Sequence, residues 1–110
     1  MAKSNQKILT DFLETIIRLV SEGTSDTYAA MVIMEFTERN SAKFPFARYI
    51  HIDSNKIKIN PKINSVDSKL IANFINKEVN TLFSDLFRHL LKRKMDVTVY
   101  DELNEIEVKI

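Results

Sequence analysis

The strongest constraint on the fold is an alternating stretch in the middle of the chain. Residues 49–60 read YIHIDSNKIKIN, with isoleucine at alternate positions on both sides of SN. Successive side chains of an extended strand point to opposite faces, so this alternation predicts strands with one apolar and one polar face. If residues 54–55 form a two-residue loop, the isoleucines of the two strands face each other in an antiparallel hairpin. The isoleucine pairs are then Ile50–Ile59 and Ile52–Ile57.

Two helices are predicted before this hairpin. Residues 6–20 repeat apolar side chains at spacings of three and four, in a stripe wide enough to be covered on more than one side. Residues 27–38 are continuously apolar over much of their length, which fits either a buried strand or a buried helix. The preceding polar caps at 24–26, together with alanines and methionines inside the segment, favour a helix.

A long third helix is predicted over residues 64–95, with Asn64 or Ser65 as its N-cap. Its apolar stripe drifts by about 160° around an ideal helix, because the apolar spacing is nearer four than 3.6. A straight helix cannot turn both halves of such a stripe towards one sheet. The sequence leaves open whether the helix bends near residues 80–81 or is continuous and buries its two halves against different partners.

The C-terminal residues also alternate, with Val97 and Val99 followed by Ile106, Val108 and Ile110. This pattern predicts a second hairpin whose turn lies at residues 102–103. The predicted fold is therefore α+β and two-layered, formed by a single domain over residues 1–110. A four-stranded antiparallel sheet of two hairpins carries the helices on one face, in the order α-α-β-β-α-β-β.

The composition excludes several common chemistries. The chain has no cysteine, one glycine and two histidines, so it lacks disulfides, glycine-rich phosphate loops and the usual zinc patterns. Ser84, Asp85 and His89 are close in sequence, but on one helix Asp85 and His89 are an ordinary i,i+4 pair. We therefore predict no catalytic residue, no cofactor and no metal site, and we expect a protein that is not an enzyme.

The apolar segments do not suggest a membrane or an export signal. Asp11 and Glu14 interrupt the first apolar stretch, which the core of a signal peptide would exclude. The longest uninterrupted apolar run, residues 28–34, is far shorter than a membrane span. We expect a soluble cytoplasmic protein with no membrane contact.

The polar face of the first hairpin belongs to a basic segment. Residues 39–62 contain six cationic side chains and one acidic side chain, Asp53. The cations are Arg39, Lys43, Arg48, Lys56, Lys58 and Lys62. Aromatic rings among such cations are typical of single-stranded nucleic-acid binding. The candidate residues for that function are Arg48, Tyr49, His51, Lys56 and Lys58.

A second explanation for the basic face is pairing within the sheet. If the two hairpins share one sheet, Lys56 and Lys58 can pair with Glu105 and Glu107 on the neighbouring strands. The net charge of +1 gives no general attraction to nucleic acid. The sequence therefore favours pairing, with nucleic-acid binding as the alternative function.

The leading functional hypothesis is protein contact through apolar helix surfaces. The candidate interface residues are Phe83, Phe87 and Leu91. If the apolar cluster at residues 70–75 faces the predicted sheet, Phe87 and Leu91 point away from it. Large apolar side chains one turn apart need a cover, which either the first helix or a second subunit provides. We expect a self-associating interaction or regulatory module, most simply a homodimer, with another protein as a further possible partner. A small-ligand sensor with an apolar pocket between helices and sheet is a second alternative.

Overall fold

The computed structural model describes residues 4–53, 56–82, 93, 95–106 and 108. Its helices and strands are α1 (Asn5–Ser21), α2 (Asp26–Arg39), β1 (Ile50–Asp53), β2 (Lys56–Ile59), α3 (Ser68–Leu82) and α4 (Val97–Glu105). A first 3₁₀ helix (Pro45–Tyr49) leads into β1, and a second (Pro61–Ser65) follows β2. None of the described helices is long and apolar enough to cross a membrane.

The central hairpin has the predicted register. Ile50 pairs with Ile59 and Ile52 with Ile57 in an antiparallel ladder. Ile50 and Ile59 are buried, whereas the outward-facing side chains of both strands are exposed. The predicted loop residues 54–55 lie outside the described residues. Periodicity in this segment therefore determined both the strand pairing and the face that is buried.

Helix α1 lies at the centre of the core. It begins after Ser4, whose side chain accepts a hydrogen bond from the backbone N–H of Lys7 at 3.2 Å. It packs against α2, α3, α4, β2 and the second 3₁₀ helix. Its buried apolar residues are Ile8, Leu9, Phe12, Leu13, Ile16 and Ile17. The wide apolar stripe is thus covered on more than one side, as predicted, and its cover comes from the same chain.

Two amide side chains at the start of α1 hold the far end of the hairpin. Asn5 is buried, and its Nδ2 donates to the carbonyl oxygens of Ile63 at 3.0 Å and Val66 at 2.7 Å. Gln6 Nε2 donates to the carbonyl oxygen of Ile59 at 2.8 Å. These bonds satisfy carbonyl oxygens at the end of β2 and after it, where the regular strand pairing stops. They also fix β2 and the second 3₁₀ helix against α1.

A cluster of phenylalanines joins three segments that are distant in sequence. The Phe74 ring on α3 makes edge-to-face contacts with Phe36 of α2 at 5.8 Å between centroids. It makes similar contacts with Phe44 at 5.4 Å and with Phe46, in the first 3₁₀ helix, at 5.6 Å. Edge-to-face geometry places the positive ring edge against the negative face of its neighbour. Phe74 therefore ties α3 to the segment that leads into β1.

Helix α3 begins later than predicted. Asp67 Oδ1 accepts a hydrogen bond from the backbone N–H of Lys69 at 2.9 Å, so the helix begins at Ser68. The predicted caps Asn64 and Ser65 instead belong to the second 3₁₀ helix. Pro61 favours this short helix because its fixed φ suits a first helical position. Residues 83–92, which carry most of the remaining predicted stripe, lie outside the described residues.

The predicted second hairpin is wrong, because its first half is helix α4. The described part of the chain contains a two-stranded sheet, not a four-stranded one. Asp96 caps α4 by accepting from the backbone N–H of Thr98 at 2.8 Å. Val99 and Leu103, one helical turn apart, are buried, while Val97 is 74% exposed. The alternation of Val97 and Val99 therefore does not mark a strand. The apolar pair at i and i+4, Val99 and Leu103, instead forms the buried face of a helix.

We expect the phenylalanine cluster to contribute strongly to stability. Phe74→Ala removes a fully buried ring from contact with three others, and we expect it to lower the free energy of unfolding by about 3–5 kcal/mol. The matched control is Leu70→Ala on the same helix, where the side chain is 47% exposed, with an expected loss below about 1 kcal/mol. Urea denaturation of both variants measures the difference, and equal losses would contradict this packing.

Candidate functional site

The outer face of the hairpin is polar and exposed. Alternation along β1 and β2 turns the isoleucines inward, where α1 packs on β2 and α2 on β1. The opposite side chains point outward, and all of them are exposed. They are His51, Asp53, Lys56 and Lys58. In the register, His51 lies opposite Lys58 and Asp53 opposite Lys56.

Asp53, the acidic side chain on this face, forms an ion pair with Lys58. Lys58 Nζ lies 3.8 Å from Asp53 Oδ2, and the two side chains are 67% and 74% exposed. An ion pair so open to water contributes little, because solvent screens it and both side chains lose freedom when they pair. The outer face therefore retains a net positive charge.

Arg48 and Tyr49 lie directly before the start of β1. The buried residues Phe46 and Ala47 anchor the 3₁₀ helix, leaving Arg48 exposed and Tyr49 half-buried. Arg48 Nη2 donates to Tyr49 Oη at 3.4 Å, and its Cζ lies 5.3 Å from the centre of the Tyr49 ring. This is a hydrogen bond combined with a cation–π contact.

The charges around Tyr49 also affect its titration. The hydrogen bond from Arg48 lowers the pKa of the Tyr49 phenol, and the positive charges of Arg48 and Lys62 lower it further. Lys62 follows the hairpin in the second 3₁₀ helix. The Tyr49 phenol is thus affected by positive charges from two separate segments.

Of the sequence-predicted residues, the structure places His51, Lys56 and Lys58 on the outer face of the hairpin. Arg48 contacts Tyr49, which directly precedes β1 and is partly packed against the core. Lys62 was in the predicted basic segment but not among the candidate site residues. A pattern confined to the strands missed it, because its approach to Tyr49 depends on how the two 3₁₀ helices pack together.

The predicted Lys–Glu pairing within the sheet is wrong. Glu105 is the last residue of α4, which packs against α1. Glu102, placed by the sequence at a turn, is buried in the same helix. Glu107 lies outside the described residues. Without the second hairpin in the sheet, Lys56 and Lys58 have no neighbouring acidic strand in the part of the chain that the structure describes.

The predicted apolar interface is not tested by the described residues. Phe83, Phe87 and Leu91 all lie outside them, so self-association through these side chains stays a prediction. Residues 27–38 were predicted to form a buried element, but on α2 Tyr28 and Met31 are 47% and 56% exposed. Their helix buries the face that carries Ala29, Ile33 and Phe36 instead.

A polar cleft of about 260 Å³ lies between α1 and the start of α4. Charged and hydroxyl side chains form most of its wall: Lys7, Asp11, Glu14, Thr15, Arg18, Asp96 and Thr98. Lys7 Nζ lies 2.6 Å from Asp11 Oδ2, and this hydrogen bond raises the pKa of Lys7. The cleft is unlike the apolar pocket predicted between helices and sheet.

No group of three or more potential metal-ligating side chains lies together among the described residues. No family model, curated protein or solved structure matches this chain.

Removing the Arg48 cation should raise the pKa of Tyr49. We expect Arg48→Gln to shift the phenol towards its unperturbed value of about 10, because both the hydrogen bond and the nearest positive charge are lost. Lys43→Gln removes an exposed cation from the same basic segment and is the matched control. NMR titration of the labelled tyrosine ring measures the shift, and equal pKa values in wild type and Arg48→Gln would contradict the contact.

Proposed function

We propose that this chain is a non-enzymatic domain that binds nucleic acid through the outer face of its hairpin. The observation that carries the proposal is the exposed set of cations Arg48, Lys56, Lys58 and Lys62, on and beside the hairpin. Phosphate oxygens are the natural partners of such cations. The proposal also assigns the protein to the cytoplasm, where it would meet nucleic acid.

This proposal is preferred over intramolecular pairing because of the helical C-terminal segment. The pairing explanation required Glu105 and Glu107 on strands beside β1 and β2. Glu105 instead ends a helix that packs on α1. Among the described residues no second hairpin lies beside this face, so its exposed cations are accessible to an anionic partner.

We also prefer this proposal to self-association, because the described residues give it more support. The wide stripe of α1 was one reason to expect a second subunit, and α2, α4 and the hairpin already cover it. The other reason, the apolar residues at 83–91, lies outside the described residues. The basic face, by contrast, is composed of described and exposed side chains.

The number of cations sets the expected strength and salt dependence of binding. Phosphate contacts by the three lysines, Lys56, Lys58 and Lys62, on a single strand correspond to a slope of about −2 for log K against log salt. A net charge of +1 adds little long-range attraction. We therefore expect dissociation constants of about 10⁻⁴–10⁻⁶ M near physiological salt, in the range of sequence-independent binding.

We expect Lys56→Ala with Lys58→Ala to weaken oligonucleotide binding about tenfold and to reduce the magnitude of the salt slope by about 1.4, because two phosphate contacts are lost. The matched control is Lys69→Ala with Lys77→Ala, which removes two exposed cations from α3 and should leave binding unchanged. Fluorescence anisotropy with oligonucleotides of about 12 nucleotides, between about 50 and 200 mM salt, measures both quantities.

Several outcomes would contradict this function. Absence of binding at low salt would do so, as would an equal loss in the α3 control. Binding to phosphatidylserine vesicles but not to oligonucleotides would identify a membrane surface as the partner instead. Asp53→Asn is a useful opposite change, since removing the acidic side chain of the hairpin should tighten nucleic-acid binding.

A further inference from the structure

We propose that the Arg48 guanidinium, held against the Tyr49 ring, is a stacking platform for an unpaired base. This inference rests on the proposed function and specifies its ligand as single-stranded nucleic acid. It concerns how the ligand's bases are bound, whereas the lysines of the hairpin hold its phosphates.

The geometry around Arg48 restrains an otherwise flexible side chain. Its Cζ lies 5.3 Å from the Tyr49 ring centre, and its Nη2 donates to Tyr49 Oη at 3.4 Å. The two contacts act at different points of the guanidinium and limit its rotation. A group restrained before binding loses less conformational entropy when a ligand arrives.

The base of the platform is itself fixed. Phe46 and Ala47, which directly precede Arg48, are buried at 6% and 2% exposure. Phe46 contacts the buried Phe74, and Tyr49 is partly buried against the same core. The Tyr49 carbonyl also accepts a hydrogen bond from the backbone N–H of Asn60 at 2.9 Å. Arg48 is therefore an exposed side chain on a well-packed support.

The chemistry of Arg48 favours a base face over a base edge. A guanidinium is planar and cationic, so it stacks on aromatic rings. To recognise guanine in a duplex groove, an arginine donates two N–H groups to the edge of the base. In this structure one N–H group of Arg48 already donates to Tyr49. In a duplex the base faces are stacked on each other and inaccessible, whereas in a single strand they are open.

The position of the platform suits a strand that follows the hairpin. Arg48 contacts Tyr49 directly before β1, Lys62 follows β2 in the second 3₁₀ helix, and Lys56 and Lys58 lie on the outer face of the hairpin. The same electrostatic environment lowers the pKa of the Tyr49 phenol. A phosphate backbone along the lysines would bring an adjacent base to Arg48.

The test replaces the planar guanidinium of Arg48 by an ammonium group of the same charge. We expect Arg48→Lys to weaken single-strand binding about fivefold or more, with the salt slope and duplex affinity unchanged, because a stacking contact is lost and no charge is removed. The matched control is Arg18→Lys, the same charge-conserving change at an exposed arginine of α1, and it should leave single-strand affinity unchanged. An oligonucleotide carrying 2-aminopurine reports stacking directly, with a fluorescence change on wild type that Arg48→Lys reduces.

The support from Tyr49 is tested separately. Tyr49→Leu should reproduce the loss seen in Arg48→Lys, whereas Tyr49→Phe, which retains the ring and loses the hydroxyl, should retain more affinity. Circular dichroism melts check that each variant remains folded. A Tyr49→Leu variant that melts early leaves Arg48→Lys, an exposed and charge-conserving change, as the deciding measurement.

The outcomes separate this inference from the proposed function. Equal binding of single strands and duplexes, unchanged in Arg48→Lys, would overturn the platform and leave nucleic-acid binding intact. A preference for duplex would also overturn it. Failure of the wild type to bind any oligonucleotide would overturn both proposals.

Discussion

The contacts of the Phe74 ring organise the described structure. This buried side chain touches phenylalanines from α2, from the following loop and from the first 3₁₀ helix. Those segments cannot separate without exposing several rings to water at once, which makes the cluster cooperative. The 3₁₀ helix so fixed carries Arg48 and Tyr49, and β1 starts directly after it. Core packing thereby determines where the candidate site begins.

The inner face of the hairpin packs against helices, and its outer face carries the proposed binding residues. Helices α1 and α2 cover the isoleucine face, and the amides of Asn5 and Gln6 secure the chain where it leaves β2. A sheet of two strands is marginal by itself and depends on such support. The arrangement leaves His51, Lys56 and Lys58 exposed. A rigid, one-sided support with exposed cations suits binding to an extended anionic chain.

The hairpin and the α4 region show which features could be predicted from the sequence. The hairpin register is local, since a period of two and a short loop suffice to define it, and the site residues within it were found for the same reason. Val97 and Val99 suggested a strand, but two alternating residues are too short a pattern when Val99 and Leu103 are buried on one helical face. The role of Asn5 was not predictable, because its carbonyl partners lie 58 and 61 residues away. That no second hairpin lies beside the basic face was not predictable either, because it depends on α4 packing against α1, a tertiary contact.

The most direct test of the binding face is an NMR titration of the isotopically labelled protein with a short single-stranded oligonucleotide. We expect the largest amide shift changes at residues 48–53 and 56–62, which form the hairpin and its flanking turns. The exposed lysines of α3 should change little, because they lie on another element. Changes confined to α3 or to the polar cleft between α1 and α4, with the hairpin amides unmoved at saturation, would contradict the assignment of the binding face.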